Sequence, residues 1–140
     1  MIFYLDTSLI VAATTNESRT LAVQHWLKAQ QVEDLFISDL VVTEYSAALS
    51  IKVREKQMDA VQRSGSLAHF AQLCSSLTIL TFQTSHFRAA ARFADQYPLG
   101  LRTGYALHLA VAAEHGTVLV TLDKRLSQAG LALGIRTQLL

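Results

Sequence analysis

The sequence is poor in the residues that mark secreted, disordered or loop-rich proteins. Its 140 residues include one cysteine, Cys74, so no disulfide can form within the chain. Proline occurs once and glycine six times, and hydrophobic residues make up 51% of the chain against 16% that are charged. A chain this apolar can bury enough surface to offset the entropy lost on ordering, which excludes intrinsic disorder.

The sequence also lacks an excess of charge of either sign. Twelve Lys and Arg residues stand against 11 Asp and Glu residues, for a net charge of +1 with histidine neutral. This balance excludes binding to nucleic acid through bulk positive charge, so any such binding needs a local patch or a metal ion. Aromatic residues are only 8% of the chain and are scattered, so no stacking platform for single-stranded RNA is predicted.

Targeting and membrane signals are missing as well. The N-terminal segment, residues 1–6, has no basic region before its apolar residues and ends in an aspartate. No apolar run approaches the roughly 20 residues that a membrane-spanning helix needs. We therefore expect a cytoplasmic protein, folded as a single domain over residues 1–140.

Short apolar segments alternate with helical patterns along the chain. Strands are predicted at residues 2–5, 35–37, 78–82, 118–121 and 135–139. No Asn-Gly or Asp-Gly hairpin signal separates them, so neighbouring strands should be joined through helices. The sequence therefore predicts an α/β fold, a three-layer α/β/α sandwich around a central parallel five-stranded sheet.

Three carboxylates lie where strands end or helices begin. Asp6 follows the first predicted strand, Asp123 follows the fourth, and Glu44 lies early in the helix after the second. Each has an ordinary structural explanation, as a helix cap or as a favourable charge near a helix N-terminus. Ligands of parallel sheets bind beyond the carboxyl ends of the strands, however, and paired carboxylates are the usual ligands of Mg²⁺ and Mn²⁺. A shared site at this edge is the alternative interpretation.

Four segments in order resemble the PIN-domain nucleases, and among these the VapC-type toxins of toxin–antitoxin pairs. The segments are residues 2–8, 38–44, 101–110 and 118–126, and the resemblance covers essentially the whole chain. It implies a metal-dependent endoribonuclease that cleaves RNA phosphodiesters, uses Mg²⁺ or Mn²⁺, forms a homodimer and pairs with a small antitoxin protein. In such chemistry the cation activates a water molecule and neutralises charge on the phosphate.

The resemblance also implies roles for individual residues. Asp6, Glu44 and Asp123 match the catalytic carboxylates that bind the metal. Thr7, Ser8 and Thr121 match polar positions that support them. Arg102, Lys124 and Arg125 flank the expected pocket, where they either guide RNA phosphates or are simply solvated surface charges.

One position departs from the family pattern. Tyr105 stands where the family has an aspartate, and a neutral phenol is a poor ligand for a hard cation. We therefore expect impaired cleavage, or a PIN-fold binding module that holds an antitoxin or RNA without cutting. A neighbouring group could also substitute: Asp39, Asp95 and His108 are the candidates, although a helix cap is expected for Asp39 and a packing role for His108.

A phosphoryl-transfer fold of the response-regulator type also places aspartates at strand ends. It is disfavoured because the chain lacks an acidic pair directly after its first strand.

Overall fold

Five parallel strands form the centre of the structure, a computed structural model that describes residues 1–140. The strands are β1 (Phe3–Leu5), β2 (Leu35–Ser38), β3 (Thr78–Leu80), β4 (Val118–Thr121) and β5 (Thr137–Leu139). Their order across the sheet is β3-β2-β1-β4-β5, and every neighbouring pair is parallel. The predicted parallel five-stranded sheet is confirmed.

Seven helices connect the strands. They are α1 (Thr7–Thr14), α2 (Thr20–Lys28), α3 (Asp39–Arg54), α4 (Ala60–Cys74), α5 (Thr84–Ala94), α6 (Thr103–Glu114) and α7 (Lys124–Ala132), with short 3-10 turns at Val32–Asp34 and Tyr97–Leu99. No helix combines the length and the apolar character needed to cross a lipid bilayer.

Alternation along the strands divides the core between the two faces of the sheet. Leu5 and Val120 pack with side chains of α1 to α4, whereas Tyr4 and Leu119 pack with side chains of α6 and α7. Successive side chains of a strand point to opposite faces, so this division follows from the apolar runs themselves. The result is the predicted three-layer α/β/α sandwich.

Several elements are shorter than their apolar segments. The third strand ends at Leu80 rather than at residue 82, and the fifth begins at Thr137 rather than at residue 135. The helix expected over residues 58–77 is α4, which starts later because Asp59 and Gln62 form a capping box around its first turn. Hydrophobicity therefore located the elements, while side-chain capping fixed their ends.

The connectivity brings three strand ends together at the middle of the sheet. The chain leaves β1 for β2 and β3 on one side, then returns to β4 on the other side of β1. In open parallel sheets such a reversal leaves a crevice beyond the carboxyl ends of the strands. Residues that follow β1, β2 and β4 are therefore the ones that can share a site.

Two glycines in helices give opposite predictions for stability. A Cβ added at Gly130 in α7 would overlap Thr137 Cγ2 and lie 3.1 Å from Leu109 Cδ2, whereas one added at Gly65 in α4 would meet no atom within 4 Å. We expect Gly130→Ala to lower the free energy of unfolding by about 1–3 kcal/mol. Gly65→Ala should raise it by about 0.5–1 kcal/mol, since alanine is the better helix former. Urea unfolding monitored by circular dichroism checks both, and the prediction is wrong if the two variants shift in the same direction.

Candidate active site

Asp6 is buried at the carboxyl end of β1 and links three elements. Its Oδ2 accepts a hydrogen bond from Thr121 Oγ1 (2.6 Å), and its Oδ1 accepts from Ser8 Oγ (2.7 Å) and from the Leu9 backbone N–H (3.1 Å). Asp6 is therefore the N-cap of α1, which is the structural role that the sequence analysis offered for it. Burial raises the pKa of Asp6, and the charge of His108 together with the donors Thr121, Ser8 and Leu9 opposes that rise.

Glu44 is held by side chains from two other helices. Thr7 Oγ1 donates to Glu44 Oε1 (2.7 Å), and His108 Nε2 lies 2.5 Å from the same oxygen. Burial alone would raise the pKa of Glu44. The hydrogen bond and charge of His108, together with the hydrogen bond from Thr7, have the larger effect and hold the pKa of Glu44 below its usual value. At Gly104 an added Cβ would lie 2.8 Å from Glu44 Oε2, so a side chain at this position of α6 would require the Glu44 carboxylate to shift.

A buried chain of hydrogen bonds runs from Glu44 into the core. The other ring nitrogen of His108, Nδ1, lies 2.7 Å from the Tyr4 hydroxyl, which lies 2.7 Å from Ser38 Oγ. Tyr4, Ser38 and His108 are each at most 2% exposed. A single direction satisfies every group: Ser38 donates to Tyr4, Tyr4 donates to Nδ1, and Nε2–H donates to Glu44. His108 is buried as expected, but the expectation that it only packs was wrong, because it bonds the carboxylate.

Tyr105 contacts the third carboxylate. Its hydroxyl donates to Asp123 Oδ2, while Asp123 Oδ1 accepts from the backbone N–H groups of Arg125 (2.8 Å) and Leu126 (3.2 Å) at the start of α7. Burial and the bond and charge of Asp123 raise the pKa of Tyr105 to about 12, so the phenol is neutral near pH 7. Asp123 is thus both the cap of α7 and the hydrogen-bond partner of Tyr105.

The three carboxylates have little free coordination capacity in this arrangement. Hydrogen bonds from protein donors reach both oxygens of Asp6, both oxygens of Asp123 and Oε1 of Glu44, which leaves Glu44 Oε2 as the one without a protein donor. No group of three or more His, Cys, Asp or Glu side chains is close enough to hold a metal ion. The residues as placed therefore do not fit a cation bound by all three carboxylates. The assignment of Asp6, Glu44 and Asp123 as ligands stays a prediction.

The relation to known proteins follows from a sequence match over nearly the whole chain. The family model described as PIN domain matches residues 3–131. The chain belongs to the PIN-domain family. No curated protein matches it at the level of sequence.

Solved structures share the PIN fold with this chain at low sequence identity. FitAcB from Neisseria gonorrhoeae superimposes with a TM-score of 0.78 at 16% identity, over 97% of this chain and 96% of that one. VapC20 from Mycobacterium tuberculosis, described as a toxin that cleaves the sarcin–ricin loop, gives 0.71 at 15% identity over 91% and 95%. A toxin–antitoxin complex from Klebsiella pneumoniae gives 0.63 at 15% identity over 91% and 90%. The resemblance drawn from the four motifs is confirmed at the level of family and fold.

The remaining candidate residues of this PIN domain divide into two groups. Asp39 is exposed in the first turn of α3 and Asp95 is exposed at the end of α5, and neither makes a hydrogen bond or ion pair to the carboxylates. Asp39 is also not the cap of α3, because that position is Ser38. Of the three substitutes considered for the missing acid, only His108 reaches the site.

The basic residues that flank the site carry no ion-pair partner. Arg102, Lys124 and Arg125 are exposed, and none takes part in a salt bridge. Arg102 is close enough to Tyr105 for its charge to oppose the rise in the pKa of the phenol. Lys124 and Arg125 do not pair with an acidic neighbour, so their charge remains available at the edge of the pocket.

Sequence reasoning missed Tyr4, Ser38 and Gly104. Tyr4 lies in β1 and Ser38 is the last residue of β2. The available signal was the pattern of polar side chains near the strand ends: a tyrosine in β1 and a serine at the end of β2, each in a strand that an aspartate directly follows in the sequence. Gly104 gave no signal in the sequence, because its role depends on the approach of Glu44 from another helix.

The buried tyrosine predicts a measurable contribution to stability. Tyr4→Phe removes a hydroxyl between Ser38 and His108 and leaves buried polar atoms without a partner. We expect the free energy of unfolding to fall by about 1–3 kcal/mol. Tyr97→Phe is the matched control, since Tyr97 is 86% exposed, and it should stay within about 0.5 kcal/mol of the unsubstituted chain. Equal urea midpoints for the two variants would contradict the proposed role of the chain of hydrogen bonds.

Proposed function

We propose that this PIN domain is a VapC-like endoribonuclease toxin whose cleavage of RNA phosphodiesters is impaired at Tyr105. The observation that carries the proposal is the bond from the Tyr105 hydroxyl to Asp123, at the position where the family has an acid. An aspartate there would add a negative charge and two acceptor oxygens beside Asp123. Tyrosine instead adds a donor that occupies one oxygen of Asp123.

The charge balance around the carboxylates supports the same proposal. Asp6 is 3% exposed and takes part in no salt bridge, and its three hydrogen-bond donors are all neutral groups. A buried carboxylate of this kind is the environment in which a cation is most stabilising. We infer that Mg²⁺ or Mn²⁺ binds here weakly, because Tyr105 and His108 compete for Asp123 and Glu44. When bound, the cation would supply an activated water and neutralise charge on the phosphate.

A PIN-fold binding module without cleavage is the second candidate. The observation that favours it is the bond between His108 and Glu44, which gives the site an internal partner for a second carboxylate. With Tyr105 on Asp123, two of the three carboxylates are then satisfied without a cation. Such a protein would hold an antitoxin or RNA through its surface while its acidic cluster served stability.

The surface beside the site offers a place for an antitoxin. A groove of about 470 Å³ lies next to Asp123, and its walls include Val11, Ala48, Ile51 and Leu122. Ile51 is 44% exposed although it is a large apolar residue. We propose that a small antitoxin covers this groove, as expected for a chain that shares its fold with a toxin–antitoxin complex.

A homodimer is proposed on a separate face. Phe87 on α5 is 55% exposed and lines a small cavity with side chains of α5 and α6, including Leu107. Exposed aromatic surface of this kind is typical of contacts between protein chains.

Restoring the acid should restore cleavage. We expect Tyr105→Asp to cleave a labelled single-stranded RNA in Mn²⁺ at least about tenfold faster than the unsubstituted chain, which corresponds to ~1.4 kcal/mol in the barrier. Tyr105→Phe is the matched control: it frees Asp123 Oδ2 but adds no carboxylate, and it should stay slow. Denaturing gel electrophoresis of the RNA over time measures all three rates.

The outcomes separate the two candidate functions. Cleavage by Tyr105→Asp alone, lost again when Asp6→Asn is added, identifies an impaired nuclease. RNA left intact by all forms while Mn²⁺ is bound would overturn the nuclease proposal and leave the binding module.

Metal affinity provides an independent test. We expect calorimetric titration with Mn²⁺ to show weak binding to the unsubstituted chain, tighter binding to Tyr105→Asp, and none to Asp6→Ala. The reason is that affinity for hard cations follows the number of charged oxygen ligands. The assigned ligands are wrong if Asp6→Ala leaves the titration unchanged.

A further inference from the structure

A cavity lies beside Tyr105, and none of the three carboxylates lines it. Its volume is about 390 Å³, within the range of ~300–1,000 Å³ found for small-ligand pockets. The loop before α6 supplies Leu99 and Leu101, α6 supplies Tyr105, and α7 supplies Arg125 and Gln128. The walls therefore combine apolar surface, an aromatic side chain, an amide and a guanidinium.

The loop that forms one wall has a defined conformation. Gly100 has φ of +60°, and its N–H donates to the Tyr97 carbonyl (3.1 Å), which closes the short turn over Tyr97–Leu99. Side chains other than glycine rarely adopt this backbone conformation. The turn places Leu99 and Leu101 on the same cavity without any contribution from a partner chain.

The charge around the cavity is positive, although the pocket beside it is acidic. Arg125 lines the cavity, while Lys124 is its neighbour in α7 and Arg102 precedes α6. None of the three has a salt bridge, so all can contact an anion at little cost. An anionic chain at the acidic cluster would be attracted by these cations, of which Arg125 lines the cavity.

The geometry points to this cavity as a subsite for one unpaired base of an RNA strand, next to the scissile phosphate. A base could lie between the leucines and Tyr105, Gln128 could hydrogen-bond the edge of the base, and Arg125 could contact the adjacent phosphate. A base paired within a duplex cannot enter such a pocket, so the base that occupies it has to be unpaired. This inference rests on the proposed function, because it assumes RNA at the acidic cluster.

Tyr105 connects the subsite to the site of chemistry. The residue lines the cavity, and its hydroxyl reaches Asp123. A base that stacks in the cavity therefore contacts the residue that occupies an Asp123 oxygen. The same substitution that weakens the acidic cluster thus provides the aromatic surface for the base.

Removing single bases from an RNA strand tests the subsite. The probe is a fluorescein-labelled eight-nucleotide single-stranded RNA in EDTA, which prevents cleavage, together with strands in which one residue at a time is abasic. We expect one abasic position to weaken binding to the unsubstituted chain by roughly five- to tenfold, while the others matter less. Annealing the strand to its complement should weaken binding by a similar factor. Fluorescence anisotropy gives the dissociation constants.

Surface variants assign the effect to this cavity. Gln128→Ala should reduce the penalty at that one abasic position by about two- to threefold, since the base loses its hydrogen bond but keeps its apolar and aromatic contacts. Arg125→Gln should weaken the intact and abasic strands by the same factor and reduce the salt dependence of binding by about one unit of slope. Arg54→Gln is the control of equal charge change: it is the last residue of α3, about 15 Å along the helix from Glu44, and should bind as the unsubstituted chain does.

The outcomes distinguish this inference from the function on which it rests. Equal affinity for intact and abasic strands at every position overturns the subsite, even if Tyr105→Asp cleaves RNA. A penalty at one position that Gln128→Ala leaves unchanged places the base elsewhere and also overturns it. Absence of binding to every strand overturns both the subsite and the proposed action on RNA.

Discussion

Concentrated negative charge at one edge of the sheet is the constraint on which the rest of the structure depends. The order of the strands brings Asp6, Glu44 and Asp123 to neighbouring ends, and burying carboxylates without partners costs several kcal/mol each. Hydrogen-bond donors of the chain itself stabilise these carboxylates. Threonine and serine side chains, helix N-termini, a histidine and a tyrosine together satisfy five of the six carboxylate oxygens.

These donors connect the site to the stability of the fold. Asp6 and Asp123 are the caps of α1 and α7, and Thr121 joins them by donating to Asp6 and accepting from the Asp123 backbone N–H (2.9 Å). The structural and the functional explanation of these acids therefore do not exclude each other. A carboxylate can fix the start of a helix with one oxygen and direct the other toward a ligand, as Asp123 does toward Tyr105.

The fold could be predicted from the sequence because it depends on local signals. Only part of the candidate site could be predicted in the same way. Apolar runs and the absence of hairpin turns were sufficient to predict five parallel strands. The position of acidic residues at strand ends was sufficient to predict that these acids lie at one edge of the sheet. The bond between His108 and Glu44 was not predictable, because it joins residues 64 apart in the sequence whose helices meet only in the folded protein. The cavity at Tyr105 was hidden for the same reason: scattered aromatic residues gave no sign that folding would place one of them beside two leucines and an arginine.

Tyr105 is a hydrogen-bond partner for Asp123 rather than a further acid beside it. An acid beside Asp123 would increase the negative charge and depend on a cation for compensation, whereas the tyrosine hydroxyl compensates Asp123 directly. His108 does the same for Glu44, and it is three residues away on the same face of α6. One helix thus supplies internal partners for two of the three carboxylates. A cation that binds Asp123 Oδ2 or Glu44 Oε1 has to compete with these hydrogen bonds, whereas Glu44 Oε2 has no protein donor, so the hydrogen bonds from α6 oppose cation binding at two of the six carboxylate oxygens.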